Sequence, residues 1–156
     1  MKTLILYATK HGATREAAQR IAKRIPGAAI YDLKQSVIPS LADFDSVIFG
    51  SSIYVGSIRK EAKAFLVKNS EILKKKKLGI FLCGLQAEEE KRVFASNFSP
   101  DILAAAKATS FLGGIFDPKK AGFLERLTIK GVAKLTDYAD KIDNVQIERF
   151  TDEMKS

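Results

Sequence analysis

The sequence predicts an α/β protein: a doubly wound, five-stranded parallel sheet in the order 2-1-3-4-5, with helices on both faces. Three observations carry that prediction. Short apolar runs alternate along the chain with amphipathic helical patterns. The segments between successive apolar runs are a helix long, which excludes hairpins and requires crossovers, hence a parallel sheet. The 156 residues are 46% hydrophobic and 28% charged, with no repeat, low-complexity tract or Pro/Gly-rich linker. One domain over residues 1–156 is therefore expected, large enough to bury a core without disulfides.

Each element has a local cause. Lys2–Ala8 reads as a buried strand, and Thr14–Ile25 as a helix with Ala17, Ala18, Ile21, Ala22 and Ile25 on one face, stopped by Pro26-Gly27. Ala28–Leu33 is the second strand and Ser46–Gly50 the third, with Pro39 in the connector between them. Ile58–Leu73 reads as a helix whose apolar stripe is Ala62, Phe65, Leu66, Ile72 and Leu73, with Ser57 as its N-cap. Leu78–Cys83 is the fourth strand. Residues 88–106 are helical but interrupted at Ser99-Pro100, an N-cap followed by proline at the first helical position. Ala108–Gly113 is the fifth strand, Ala121–Leu135 a basic amphipathic helix, and Val145–Met154 a short final one.

The net charge of +8 is uneven: residues 1–78 hold 15 lysines and arginines against 6 acids, the remainder 11 against 12. Such an excess suits an anionic partner, surface or small molecule. Much of it lies in Lys74-Lys75-Lys76-Lys77, which reads as a solvated helix C-terminus. No nucleic-acid motif and no basic stretch interleaved with aromatics is present, so a nucleic-acid partner is not expected. The lone Cys83 excludes an internal disulfide, and with His11 the sole histidine a Cys/His zinc cage is excluded as well. The N-terminal apolar run is too short for a signal peptide or a membrane span, which makes a cytoplasmic location the expectation.

In a doubly wound sheet the ligand site lies beyond the carboxyl ends of the strands, where the strand order reverses. The loops after strands one, three and four should therefore build it. The first reads Thr9-Lys10-His11-Gly12-Ala13-Thr14, directly after a strand and opening a helix. Two hydroxyls flank a glycine that permits a tight turn, and the amides of the helix start are free to bind an anion. That chemistry suits a phosphate monoester, with Lys10, His11 or Arg15 able to add charge. It matches neither G-x-x-x-x-G-K-[ST] nor G-x-G-x-x-G, which disfavours nucleoside triphosphates and dinucleotides. The second loop, Ser51-Ser52-Ile53-Tyr54-Val55-Gly56, offers an aromatic for stacking on a flat ring. The third, Cys83-Gly84-Leu85-Gln86, can meet a ring edge through its backbone, and Glu88-Glu89-Glu90 beyond it reads as a favourable helix first turn rather than a metal site. No side chain in these loops is placed as an acid–base catalyst.

Three stretches, M-K-T-L-I-L-Y-A-T-K-H-G-A-T-R-E, G-S-S-I-Y-V-G and G-I-F-D-P-K-K-A-G-F-L-E-R-L, together resemble the flavodoxin superfamily, and within it the branch containing menaquinone-dependent protoporphyrinogen IX dehydrogenase. The resemblance implies a non-covalently bound FMN. By it, Thr9, Lys10, His11, Gly12, Ala13 and Thr14 hold the 5′-phosphate, Ser51, Ser52, Ile53, Tyr54, Val55 and Gly56 line one side of the isoalloxazine, and Cys83, Gly84, Leu85 and Gln86 approach its other edge. Backbone carbonyls of residues 53–56 would accept a hydrogen bond from the protonated ring nitrogen. The implied activity is oxidation of a reduced tetrapyrrole in heme biosynthesis, with electrons passed to a quinone. The alternative is a one-electron carrier between redox proteins, and a third possibility is a non-redox interaction domain. Electron-carrier members are acidic with aromatics in both ring loops, whereas this chain is basic and has none between Gly84 and Arg92. The longer basic insertion of the dehydrogenase after strand four is absent too.

Two other chemistries of this topology are excluded by residue. A low-molecular-weight phosphatase needs arginine six residues after its cysteine, where Glu89 stands. A response-regulator receiver needs acidic residues where Thr9-Lys10 and Gly50-Ser51 stand. The Ala121–Leu135 pattern either packs its stripe on the sheet or adsorbs peripherally to an anionic membrane, at the inner face where a quinone could reach a flavin.

Overall fold

The computed structural model describes residues 1–35, 37–119 and 137–156. Five strands form the main sheet: β1 (Thr3–Ala8), β2 (Ala29–Asp32), β3 (Ser46–Tyr54), β5 (Lys77–Cys83) and β6 (Ala106–Phe111). All pair in parallel, in the order β2-β1-β3-β5-β6, so the five long strands run 2-1-3-4-5 as the sequence predicts. Because β1 lies between β2 and β3, the crossovers leave it in opposite directions, and a cleft opens at its carboxyl end.

The strand period of two divides the apolar residues between two faces. Leu4, Leu6, Val47, Phe49, Ile80 and Leu82 pack with α2 (Lys60–Leu73), α3 (Glu90–Asn97) and α4 (Pro100–Ala105). Ile5, Tyr7, Ile48, Phe81 and Cys83 pack with α1 (Ala13–Arg24) and α5 (Asn144–Lys155). Phe81, fully buried, meets Phe150 of α5 edge-on with ring centroids 6.2 Å apart. Burying such a side chain contributes about 1.5–3 kcal/mol, so helices on both faces are where most of the stability arises.

Several boundaries differ from expectation. The third strand does not stop at Gly50 but runs on to Tyr54, then turns back as β4 (Ser57–Ile58), paired antiparallel with Tyr54 and Ile53. Ser57 is therefore a strand residue and not the N-cap of α2. Arg59 holds the cap position without a side-chain cap, and its N–H donates instead to Ser51 Oγ at 3.0 Å. The fifth strand lies two residues earlier than expected, and the predicted 88–106 helix is a 3₁₀ turn (Ala87–Glu89) followed by α3 and α4, with Ser99 and Pro100 at the predicted break. A small antiparallel pair, β7 (Ile115–Phe116) with β8 (Ala139–Asp140), has no counterpart in the sequence reading. The Ala121–Leu135 helix lies outside the described residues. Lys74 ends α2 in ion pairs with Glu71 (2.8 Å) and Asp101 (2.9 Å), so the lysine run begins as the helix end expected, while Lys77 already belongs to β5.

Candidate functional site

The carboxyl ends of β1, β3 and β5 share one edge of the sheet, and the segments that follow them enclose a cavity of about 440 Å³. That size falls within the usual range for small-molecule sites, roughly 300–1,000 Å³.

The first wall is the β1–α1 loop. Gly12 takes φ 98°, a left-handed turn that an L side chain resists, and its N–H donates to Thr9 Oγ1 at 2.9 Å. No side chain among the described residues caps α1, so the amides of Ala13, Thr14 and Arg15, which have no helical acceptor, stay open at this end. Thr14 is fully buried. Its Oγ1 has no hydrogen-bond partner of ordinary geometry among the described residues; the group it meets is the Cys83 thiol. Burial pushes that thiol up to about 12, the Thr14 hydroxyl opposing the rise. Cys83 is a protonated, inert lining group rather than a nucleophile. Arg15 turns to the floor instead of the cavity: its Nε donates to Tyr7 Oη at 3.1 Å and its guanidinium lies 3.6 Å from Asp32, which together raise its pKa.

The second wall is the β3–β4 hairpin. Its two-residue turn places Val55 at φ 50° and Gly56 at φ 75°, the geometry of a type I′ turn. A β-branched residue in that region is strained. The hairpin is held from behind by Asn97 of α3, whose Oδ1 accepts from Ile58 N (3.0 Å) and whose Nδ2 donates to Gly56 O (2.9 Å) and Val93 O (2.8 Å). Ser51 Oγ accepts from Arg59 N and donates to Ser52 O, fixing the strand end, while Ser52 Oγ is buried without a partner among the described residues. Tyr54 stands at the mouth, with the Lys10 ammonium 3.5 Å from its ring centroid.

The third wall is the β5–α3 segment with the end of β6. Gly84 N donates to Gly113 O at 2.9 Å, and Gly114 lies so close that a Cβ on it would sit 3.2 Å from the Gly84 carbonyl. Glu90 Oε1 accepts from Phe111 N at 3.2 Å, and Arg92 pairs with Glu89 at 2.5 Å. The three glutamates thus open a helix, as read. Among the described residues no group of three or more His, Cys, Asp or Glu could hold a metal ion.

Of the residues picked from sequence, Thr9, Lys10, His11, Ala13, Ser52, Ile53, Tyr54, Val55, Gly56, Cys83, Gly84, Leu85 and Gln86 line the cavity. Gly12, Thr14 and Ser51 do not; they shape the turn or anchor it from behind. Sequence reasoning missed Glu89, Arg92, Val93, Phe111, Gly114 and Ile115 in the lining, and Asn97 behind it. The Gly113-Gly114 pair directly after a strand was the available signal for the late wall.

A doubly wound sheet with an anion-ready first loop and an aromatic second loop defines a class of small-ligand α/β domains. The flavodoxin domain model matches residues 4–143, and the chain belongs to that family. No curated protein matches it in sequence. Among solved structures it resembles a short-chain flavodoxin associated with a non-canonical PDU bacterial microcompartment, at 14% identity and a TM-score of 0.61 over 99% of this chain and 97% of that one. It also resembles a Lactobacillus acidophilus flavoprotein solved in complex with FMN, at 16% identity and a TM-score of 0.58 over 70% and 92%. A Streptococcus pneumoniae flavodoxin is similar at 16% identity and a TM-score of 0.56, over 99% and 98%. At these identities the likeness is one of fold. No helix among the described residues is long and apolar enough to cross a membrane.

Proposed function

We propose that this protein binds one FMN and uses it to pass electrons between a donor and an acceptor. The observation that carries the reading is the uncapped first turn of α1, which opens at the cavity-lining Ala13 and leaves the amides of residues 13–15 without a helical acceptor. Open amides at a helix start, at the positive end of its dipole, are a ready site for an anion.

The residues fit the cofactor's two ends. The amides of Ala13, Thr14 and Arg15, with the Thr9 hydroxyl, suit a phosphate dianion. Tyr54, Ile53, Val55 and Leu85 give a flat ring apolar walls, and Ser52 Oγ offers it a polar edge. The FMN in the similar Lactobacillus acidophilus flavoprotein supports the same choice. Bound FMN supplies the redox chemistry; this chain binds it, orients it and keeps water from its inner edge. Titration of the purified full chain with FMN should give one-to-one uptake and a visible spectrum that bleaches reversibly on anaerobic reduction. A colourless protein that takes up no FMN overturns the reading and leaves a non-redox interaction domain.

As a carrier, the protein would exchange electrons with a redox partner protein. A second reading, oxidation of a reduced tetrapyrrole with electrons passed to a quinone, rests on the sequence resemblance alone. Substrate-dependent quinone reduction separates the two. The setting we propose is cytoplasmic, with peripheral contact at the inner membrane face tested by flotation with anionic liposomes.

A further inference from the structure

We propose that the outer face of α2, with the groove beside it, is a docking surface for an acidic partner protein that seats an apolar side chain in the groove. The surface shares no residue with the cavity described above, so the inference stands apart from the FMN reading. The groove, of about 470 Å³, runs between the β2–β3 connector and α2, with Ile38, Pro39 and Leu41 on one side and Phe65 and Ile72 on the other. Val37 and Val67, each next in sequence to a lining residue, stand 93% and 84% exposed. Two valines this open beside an apolar recess form a surface that gains from being covered.

Charge names the partner. Lys60, Lys63, Val67 and Lys68 are all exposed, at i, i+3, i+7 and i+8, which share one helix face. Residues 60–75 hold five lysines against two glutamates, and one of these, Glu71, is already paired with Lys74 at 2.8 Å. Lys60, Lys63 and Lys68 make no ion pair among the described residues, whereas Arg20 and Arg24 on the other side of the sheet are each paired with acids. Lys60 and Lys63 also stand in the first turn of α2, where the helix dipole disfavours a cation, and at i and i+3 they repel each other. Neither placement serves the helix, and both favour an anionic surface laid against it. The recess suits a side chain projecting from a protein rather than the flat face of a bilayer. No exposed aromatic or arginine on α2 offers a nucleic-acid base a stacking partner.

The test titrates the isotope-labelled full chain with a short glutamate-rich peptide carrying one central leucine, and follows backbone amide shifts. Shifts are expected in residues 38–41 and 60–72, with affinity falling about tenfold as salt rises from about 20 to about 200 mM. A Lys63→Glu, Lys68→Glu double variant should bind the peptide about tenfold more weakly or worse. Val67→Glu, at a position exposed enough to spare the fold, should weaken binding about three- to tenfold, as should serine in place of the peptide's leucine. Absence of shifts at this face, shifts confined to the cavity mouth, or undiminished binding by the double variant overturns the proposal. So does binding of phosphatidylglycerol vesicles or an RNA oligonucleotide at this face by a chain that ignores the peptide, which makes it a membrane or nucleic-acid surface. The readout needs no bound flavin, so a chain that takes up no FMN but shows these shifts loses the FMN reading and keeps this one.

Discussion

The two facing walls of the cavity reach similar turns by opposite means. The β1–α1 loop puts glycine where the backbone is left-handed, Gly12 at φ 98°, and leaves its amides open. The β3–β4 hairpin puts valine at φ 50°, where asparagine or glycine is the ordinary choice, and lets its side chain stand 79% exposed. The first wall is relaxed in backbone but unsatisfied in hydrogen bonds. The second is tied through Asn97 but strained, and it leaves Ser52 Oγ buried without a partner among the described residues. The difference teaches that the first wall offers open amides at the cavity, whereas the second is a hairpin tied in place by a side chain of a distant helix.

The sharpest way to break the contrast is Gly12→Val. A β-branched residue at φ 98° costs roughly 1–2 kcal/mol in the backbone and distorts the open amides, so FMN affinity should fall by about a hundredfold or more. Unchanged affinity in a fluorescence titration would show that the phosphate is held elsewhere. Next in size is Asn97→Ala, which strips the hairpin of its tie to α3 and leaves Ile58 N and Gly56 O unpaired. Stability should drop by roughly 1–3 kcal/mol in urea unfolding. FMN affinity should fall less than with Gly12→Val.

The fold was legible because its signals are local and periodic. The continuous apolar run Leu4, Ile5, Leu6 and Tyr7 marks a strand buried on both faces, and the crossover spacing requires a parallel sheet. The place of the first loop was readable too, since Thr9, Lys10, His11 and Ala13 follow the first strand directly and line the cavity. What stayed hidden is contact between distant segments. Nothing in the sequence around Asn97 announces that its amide grips a hairpin 41 residues away, and Gly56 alone does not reveal that β3 continues past Gly50 and folds back. Ser57 looked like a cap because its type suits one, and tertiary pairing with Tyr54 overrode that preference.

A third prediction concerns the floor that the first wall shares with β5. Burial raises the Cys83 thiol to about 12, so the folded state keeps a proton that an unfolded cysteine releases at about pH 8.5. The stability from this group is fully present below that pH and is lost as pH rises toward 12. Relative to Cys83→Ala, the wild type should therefore lose roughly 1.4 kcal/mol per pH unit above about pH 8.5. Urea midpoints at several alkaline pH values check this, and parallel profiles for the two proteins would contradict it. The smallest effect is expected at the strained turn: Val55→Asn should stabilise the protein by about 1 kcal/mol or less, since asparagine accepts the left-handed region more readily. Thermal melts read that gain, and a loss of stability would mean that the Val55 side chain packs on something that matters.

The most direct test of the central claim is a crystal structure of the full chain grown with FMN. The account predicts the phosphate within hydrogen-bond distance of the amides of residues 13–15, with the ring beside Tyr54. A phosphate bound away from that turn would contradict it.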